Sequence, residues 1–152
     1  MDKIQSTKEI TEQLLKLLLL EAKVEVKEDK ENNAINVAIE TEEPGILIGY
    51  HGETLSSLQL MLGIMVSKKI NEWVRVVVNV GDYREKREEV LKRMALSAAQ
   101  KAKFSQEAVT LPPLSGNERR IIHLVLTDNP DVITESEGEG EERRVVVKPK
   151  PQ

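Results

Sequence analysis

Two short constellations in this sequence carry residue types suited to gripping phosphate. The first is Gly49-Tyr50-His51-Gly52, entered by the apolar run Ile46-Leu47-Ile48 and left by a helix-like pattern from Thr54. Glycine has no Cβ, so Gly49 and Gly52 let the backbone turn tightly and let another backbone come close. A helix leaving such a turn offers unpaired N–H groups and the positive end of its dipole, which suits an anion. The second is Arg119 and His123, four residues apart and so one turn apart on one helix face. A shared anion would turn the repulsion between two cations into a two-donor clamp. Taken alone, both have plain alternatives. Two glycines also make an ordinary helix-entry turn, His51 can be a solvated loop histidine, and any charged helix yields an Arg/His pair.

Other chemistry is hard to assemble. The 152 residues include no cysteine and only two histidines, in different halves of the chain. That leaves no thiolate site, no evident zinc ligand set and no Ser-His-Asp group. There is no G-x-x-x-x-G-K-[ST] phosphate loop and no H-E-x-x-H. Catalysis, a metal and a cofactor are therefore all expected to be absent. The formal net charge of −4 argues against a generic polyanion binder. The bases nevertheless gather locally, at Lys68-Lys69, Arg84 to Arg93, Arg119-Arg120 and Arg143 to Lys150, leaving room for a localised nucleic-acid site. No signal peptide or membrane-length apolar run is evident, so a cytoplasmic protein without membrane insertion is expected.

The elements that must position these residues follow from periodicity. Ser6-x-x-Glu9 reads as a capping box ahead of Ile10, Leu14, Leu17 and Leu18, and Leu14 to Leu20 reads as a buried helix. Val24 and Val26, then Ile35, Val37 and Ile39, alternate around the turn residues Glu31-Asn32-Asn33 as a hairpin. Pro44-Gly45 ends it, and Ile46 to Ile48 can make one helical turn before the glycines. Leu55, Leu58, Leu62, Met65 and Val66 form a helical stripe, followed by a strand at Val74 to Val80. After Gly81 a second capping box, Asp82-x-x-Glu85, opens a long helix with Val90, Met94, Ala98 and Ala102 on one side. Val109 to Leu111 is a short strand stopped by Pro112-Pro113. A third box, Ser115-x-x-Glu118, opens a helix to about Leu126, and strands at Val132 to Thr134 and Arg143 to Lys148 flank the acidic tip Glu137 to Glu141. Lys148 to Gln152 is expected to fray. The class is α+β, with two small α/β domains in tandem at residues 1–81 and 82–152.

The order helix, strand, strand, short helix, glycine loop, helix, strand resembles the type II KH fold, α-β-β-α-α-β with its GXXG loop between the second and third helices. The Arg119-xxx-His123 spacing, with Leu111 to Leu114, Glu118 to His123, Ser136 to Gly138 and Arg143 to Val146 around it, resembles the R-three-H domain. Tyr83 to Glu89 is similar to the junction between the two in the bacterial Jag family, also called KhpB or SpoIIIJ-associated protein. The resemblance runs from about Ile10 to Lys148. It implies an R-three-H domain of helices on a small sheet, no catalysis, and binding of single-stranded RNA, with single-stranded DNA as a second ligand class. It also implies a link to cell-envelope growth or division, and a small KH protein as a partner. Many members carry a further basic N-terminal domain, which this chain is expected to lack.

Carried onto this sequence, the resemblance gives a nucleic-acid site of Ile48, Gly49, Tyr50, His51 and Gly52, with Ile46 beside the bases. A second contact comes from Arg119 and His123, helped by Arg87 and Arg144. KH loops usually hold a basic residue between the glycines; here the pair is Tyr50-His51 and Glu53 follows, so a light grip on phosphate is expected, with Tyr50 adding stacking. RNA affinity should rise on mild acidification as the imidazoles charge; a flat profile from about pH 8 to about 6 would show that neither meets phosphate. Two other classes remain. One is a protein-interaction adaptor with little RNA affinity, associated with a partner KH protein or a membrane-protein insertase and docking through sheet edges and the acidic hairpin. The other is a duplex-DNA binder, disfavoured by the acidic balance and the lack of a base-reading helix.

Overall fold

The computed structural model describes residues 2–151 and is built of five α-helices and six strands. The chain divides into two compact units after Arg84, each with its own three-stranded sheet. In the first, helix α1 (Lys3–Leu17) leads into strands β1 (Ala22–Asp29) and β2 (Ala34–Thr41), then α2 (Pro44–Ile48), a 3-10 turn at Tyr50–Gly52, α3 (Glu53–Ile70) and β3 (Arg75–Val80). The sheet order is β1-β2-β3, with β1 antiparallel and β3 parallel to β2. Parallel neighbours cannot be joined by a tight turn and need a crossover. Here that crossover is α2, the glycine turn and α3, so the sheet topology itself suspends the turn between two helices.

Leu47, Leu55, Leu58, Leu62 and Val66 from the crossover pack on Ile35, Val37, Ile39, Val76, Val78 and Val80 from the sheet. The hairpin turn has the expected chemistry: Asp29 accepts from the Asn32 amide and backbone, and Asn33 takes the left-handed conformation with φ 49°.

Helix α1 departs from the apolar periodicity. Asp2, not Ser6, is its N-cap, accepting from the backbone of Ile4 and Gln5. Its inner face is Thr7, Thr11 and Leu15, a stripe at i, i+4 and i+8, with Ser6 beside it. Thr7 and Thr11 are 0 % exposed because each hydroxyl donates to the carbonyl four residues back, at 2.7 Å, and so enters the core satisfied. The expected buried helix through Leu20 is not formed. The helix stops at Leu17, and Leu19 adopts φ 58° in a C-terminal turn where Leu19 N–H bonds the Lys16 carbonyl and Leu20 N–H bonds that of Leu15. Leu20 is thereby turned inward, while Leu17, Leu18 and Leu19 stay exposed.

The second unit takes its helix α4 (Tyr83–Ser105) from the chain immediately after Asp82, then β4 (Val109–Thr110), α5 (Gly116–Leu126), β5 (Val132–Glu137) and β6 (Arg144–Pro149). Its sheet order is β4-β6-β5, antiparallel throughout. The division falls three residues past Gly81, where a boundary was expected. Tyr83 packs on the first core, and Arg84 donates to the Val78 carbonyl at 2.7 Å and to Gln59 at 2.8 Å. The first two residues of α4 thus belong with the sheet before them.

The buried face of α4 is Leu91, Ala95, Ala98, Ala99 and Ala102 rather than one led by Val90, which is exposed. Val145, Val146 and Val147 are all buried, as a central strand demands. Lys148 and Pro149 are not a frayed tail: they pair with Ile133 and Val132, and Lys150 N–H bonds the Asp131 carbonyl at 2.8 Å.

Candidate nucleic-acid interface

The glycine turn is held in a backbone shape that ordinary side chains resist. Gly49 sits at φ 69°, ψ −169°, a region occupied almost only by glycine. A Cβ there would collide with the Thr54 hydroxyl and lie 2.8 Å from Thr54 Cβ. Gly52 sits at φ 83°, and a Cβ on it would lie 3.0 Å from the Tyr83 ring. Between them His51 is also left-handed, at φ 49°. Three of the four turn residues therefore have positive φ, and two neighbouring side chains, Thr54 and Tyr83, fill the space that Cβ atoms would need.

This shape has two chemical consequences. No side chain caps the N-terminus of α3; the Glu53 N–H bonds the Tyr50 carbonyl, and the amides beyond it in the first turn have no side-chain acceptor. The rings of Tyr50 and His51 are pushed outward and stacked, 3.9 Å between centroids and 26° between planes, with Tyr50 72 % exposed. On the approach to the turn, Leu47 is the buried anchor of α2 while Ile46 is exposed and Ile48 half-buried. Glu42, Glu43 and Glu53 are exposed around the turn, so its amides, not its net charge, would attract phosphate.

In the second unit the side chains expected to meet an anion are already engaged. Ser115 caps α5, accepting from the Glu118 N–H at 3.3 Å. The reciprocal half of that capping box is replaced: Glu118 receives Arg87 through two bonds, Nε to Oε1 at 2.7 Å and Nη2 to Oε2 at 3.3 Å. With side chains 15 % and 12 % exposed, this fork pairs α4 with α5 inside the unit. Arg87, expected at a phosphate, thus serves as an internal tie. Arg119 donates from Nη1 to the Leu114 carbonyl at 2.7 Å, anchoring the loop that leads into its own helix.

His123 lies between two hydroxyls of β5. Nδ1 is 2.6 Å from Thr134 Oγ1 and Nε2 is 2.9 Å from Ser136 Oγ. A hydroxyl can donate or accept, so both bonds survive in either tautomer and in the charged ring. Arg143 continues the line, donating to the Gly138 carbonyl at 2.6 Å and to that of Ser136 at 3.4 Å. Arg144 forms an exposed pair with Glu142 at 3.2 Å. Arg119 and His123 share a helix but turn to separate partners, and no preformed clamp joins them.

Tyr83 and Ser136 were named in the sequence only within stretches that resemble the family, Thr54 and Thr134 only at element boundaries, and none of the four as a site residue. Thr134 and Ser136 carried a signal: they alternate with Val132 on the face of β5 that meets α5. Among the described residues, no three His, Cys, Asp or Glu side chains group as metal ligands. No helix among the described residues is long and apolar enough to cross a membrane.

Comparison with known proteins bears on both units. Residues 8–80 match the KhpA/KhpB KH domain family, and residues 89–149 match the R-three-H domain family. A protein of Clostridium symbiosum named RNA-binding protein KhpB is 34% identical over 139 residues, covering 91% of this chain and 63% of that protein. Its namesake in Streptococcus pneumoniae (strain D39) is 37% identical over 119 residues, 78% of this chain and 36% of the relative. The one in Bacillus subtilis (strain 168) is 30% identical over 148 residues, 96% of this chain and 70% of the relative. The chain therefore spans between 36% and 70% of the length of these three relatives.

Proposed function

This chain belongs to the KhpB family of paired KH and R-three-H domains, and we propose that it binds single-stranded RNA through both. The observation that carries the proposal is the Gly49–Gly52 turn: three positive φ values, an α3 N-terminus with no side-chain cap and an exposed aromatic stack, at the position of a KH loop. Its N–H groups would donate to a sugar-phosphate backbone, Tyr50 would offer a ring face to a base, and Ile46 with Ile48 would offer an apolar wall.

The second domain would add a weaker contact at Arg119, His123 and Arg144, with the hydroxyls of Thr134 and Ser136 as further donors. Tethering makes the second contact intramolecular once the first has formed, so two weak sites give useful affinity. Single-stranded DNA would compete less well where hydroxyl contacts to the 2′-OH matter. At the level of the cell, the proposal is a cytoplasmic post-transcriptional regulator connected with envelope growth or division, working with a small KH protein. The relatives carry RNA-binding names and no enzyme name. The second reading, a docking adaptor with little RNA affinity, draws on the exposed leucines at the end of α1.

The test is titration of a fluorescent single-stranded RNA against the wild type, Gly49→Asp/Gly52→Asp and Tyr50→Ala. Because aspartate at Gly49 meets Thr54, the exposed Tyr50→Ala variant separates lost binding from lost shape. Weaker binding in both supports the proposal. Binding unchanged in both, or absent in the wild type at low salt, overturns it in favour of the adaptor.

A further inference from the structure

The first sheet has two edges, and the chain leaves one of them open. The direction of the β1 backbone follows from its neighbour. Gly81 N–H bonds the Ile39 carbonyl, so Ile35, Val37 and Ile39 of β2 turn their backbone groups towards β3. Asn36, Ala38 and Glu40 then face β1, where they stand opposite Lys27, Glu25 and Lys23. Glu21 agrees with this phase, its carbonyl accepting from Thr41 Oγ1 at 2.9 Å. The backbone N–H and C=O groups of Ala22, Val24, Val26 and Glu28 are left on the outer side. Among the described residues no side chain or neighbouring backbone bonds them. Strand β1 is eight residues long and holds no proline, so its edge is an open template for another strand.

Beside this edge α1 forms a groove of about 530 Å³. Its floor is apolar, from Leu15, Leu20, Ala22 and Val24, and its rim carries Glu9, Glu12 and Glu21 against the single cation Lys16. Glu9 and Glu12 are exposed and lightly engaged: Glu9 accepts from Gln5 at 2.9 Å, and Glu12 lies 3.9 Å from Lys8. Side chains alternate across a strand, so every second residue of a chain laid against β1 falls on the α1 side with Val24. A lysine or arginine there covers Leu15 and Leu20 with its stem and carries its charge to the rim. A carboxylate there meets three others, and the same rim repels a phosphate backbone. On the far face Lys23, Glu25 and Lys27 alternate in sign and favour neither charge. The open edge supplies the binding groups, and the rim selects the charge of what binds.

We propose that the β1 edge, with the α1 groove beside it, docks an extended segment of a partner protein that carries lysine or arginine at every second residue. The segment adds a fourth strand to the first sheet. Neither the glycine turn nor the second domain takes part, so this site stands apart from the RNA-binding reading.

The test uses the full chain and a labelled peptide of alternating lysine and threonine, blocked at both ends and as long as β1. Anisotropy should show saturable binding. Amide signals of Ala22, Val24, Val26 and Glu28 should shift, and hydrogen exchange at Val24 and Val26 should slow as their N–H groups gain acceptors. A glutamate–threonine peptide should bind at least about tenfold more weakly, and Glu9→Lys/Glu12→Lys should weaken the lysine peptide about tenfold at an unchanged melting temperature. A lysine–threonine peptide N-methylated at alternate residues keeps the charge but loses the strand donors, and should also bind about tenfold more weakly. Equal binding of the N-methylated or the glutamate peptide overturns the proposal, as does no binding at about 1 mM peptide. Shifts confined to residues outside α1 and β1 overturn it too. Self-association in sedimentation that slows exchange at Val24 and Val26 without peptide would make a second copy the occupant, with the same consequence.

Discussion

In the first domain the candidate RNA contact is made of backbone; in the second it is made of side chains. Gly49, His51 and Gly52 supply amide direction through positive φ, and the side chains beneath them only hold the shape. Arg119, His123, Thr134 and Ser136 supply chemistry through functional groups that bond one another or nearby carbonyls when no ligand is present. A backbone site is preorganised and hard to alter except by adding atoms. A side-chain site is adjustable and must exchange internal hydrogen bonds for those to a ligand, which lowers its net gain. On the proposed function, the difference would let the first domain grip without a basic loop and leave the second as auxiliary.

The sharpest way to break the contrast is at Gly49. Gly49→Ala should cost about 1–3 kcal/mol through φ alone and should weaken RNA binding more than any single change at Arg119 or His123. Urea unfolding and RNA anisotropy read the two effects. Adding Thr54→Ala to Gly49→Ala removes the hydroxyl that the new Cβ would meet but leaves the Thr54 Cβ and the φ penalty, so only partial recovery is expected. Full recovery would make the loop a packing feature.

Next in size is the tie inside the second domain. Arg87→Ala or Glu118→Ala should destabilise by about 2–3 kcal/mol, since each leaves a partly buried charge without its fork partner. Removing both together should cost clearly less than the sum of the two single changes. Additive losses would show that the pair does not act as a unit. Thr134→Val and Ser136→Ala should each cost about 1 kcal/mol and free one ring nitrogen of His123. An imidazole NMR shift confined to that nitrogen would confirm the bond.

This contrast also marks what a sequence can show. The glycine turn was legible because its backbone demand is written in residue type: φ values of 69° and 83° call for glycine. The element order around it was legible from apolar alternation and from Pro44. The burial of Thr7 and Thr11 was not, because a hydroxyl bonding back to its own helix passes as polar surface in any periodicity count. On α4 the buried face lies one residue on from Val90, since alanines at 95, 98, 99 and 102 carry the packing through close approach rather than size. For Arg119 and His123, spacing gave the shared helix but not the partners. Those partners come from Leu114 and β5, whose placement depends on tertiary structure. Arg87 is the clearest case: a surface-like cation in sequence that its pairing with Glu118 turns inward.

The smallest effects come from pH and have opposite signs in the two hairpins. The Asn32 side chain and then its backbone N–H hold Asp29 below the usual carboxylate range. Its contribution is therefore present above the ordinary aspartate value and lost as pH falls through the lowered one. Glu135, and after it Glu137, hold Lys148 above the ordinary lysine value. That contribution is complete below the ordinary value and lost as pH rises through the raised one. Both groups are exposed, so only slight changes are expected. The amide of Asn32 should move in acid and that of Lys148 in alkali, as an NMR pH titration would read; the reverse order would contradict the assignment.

The most direct test is a ¹H–¹⁵N spectrum of the full chain titrated with a short single-stranded RNA. If the first site is backbone, the amides of Tyr50, His51, Gly52, Glu53 and Thr54 should shift first and furthest, ahead of any signal from Arg119 or His123. Shifts at α5 and β5 with a silent glycine turn would contradict it.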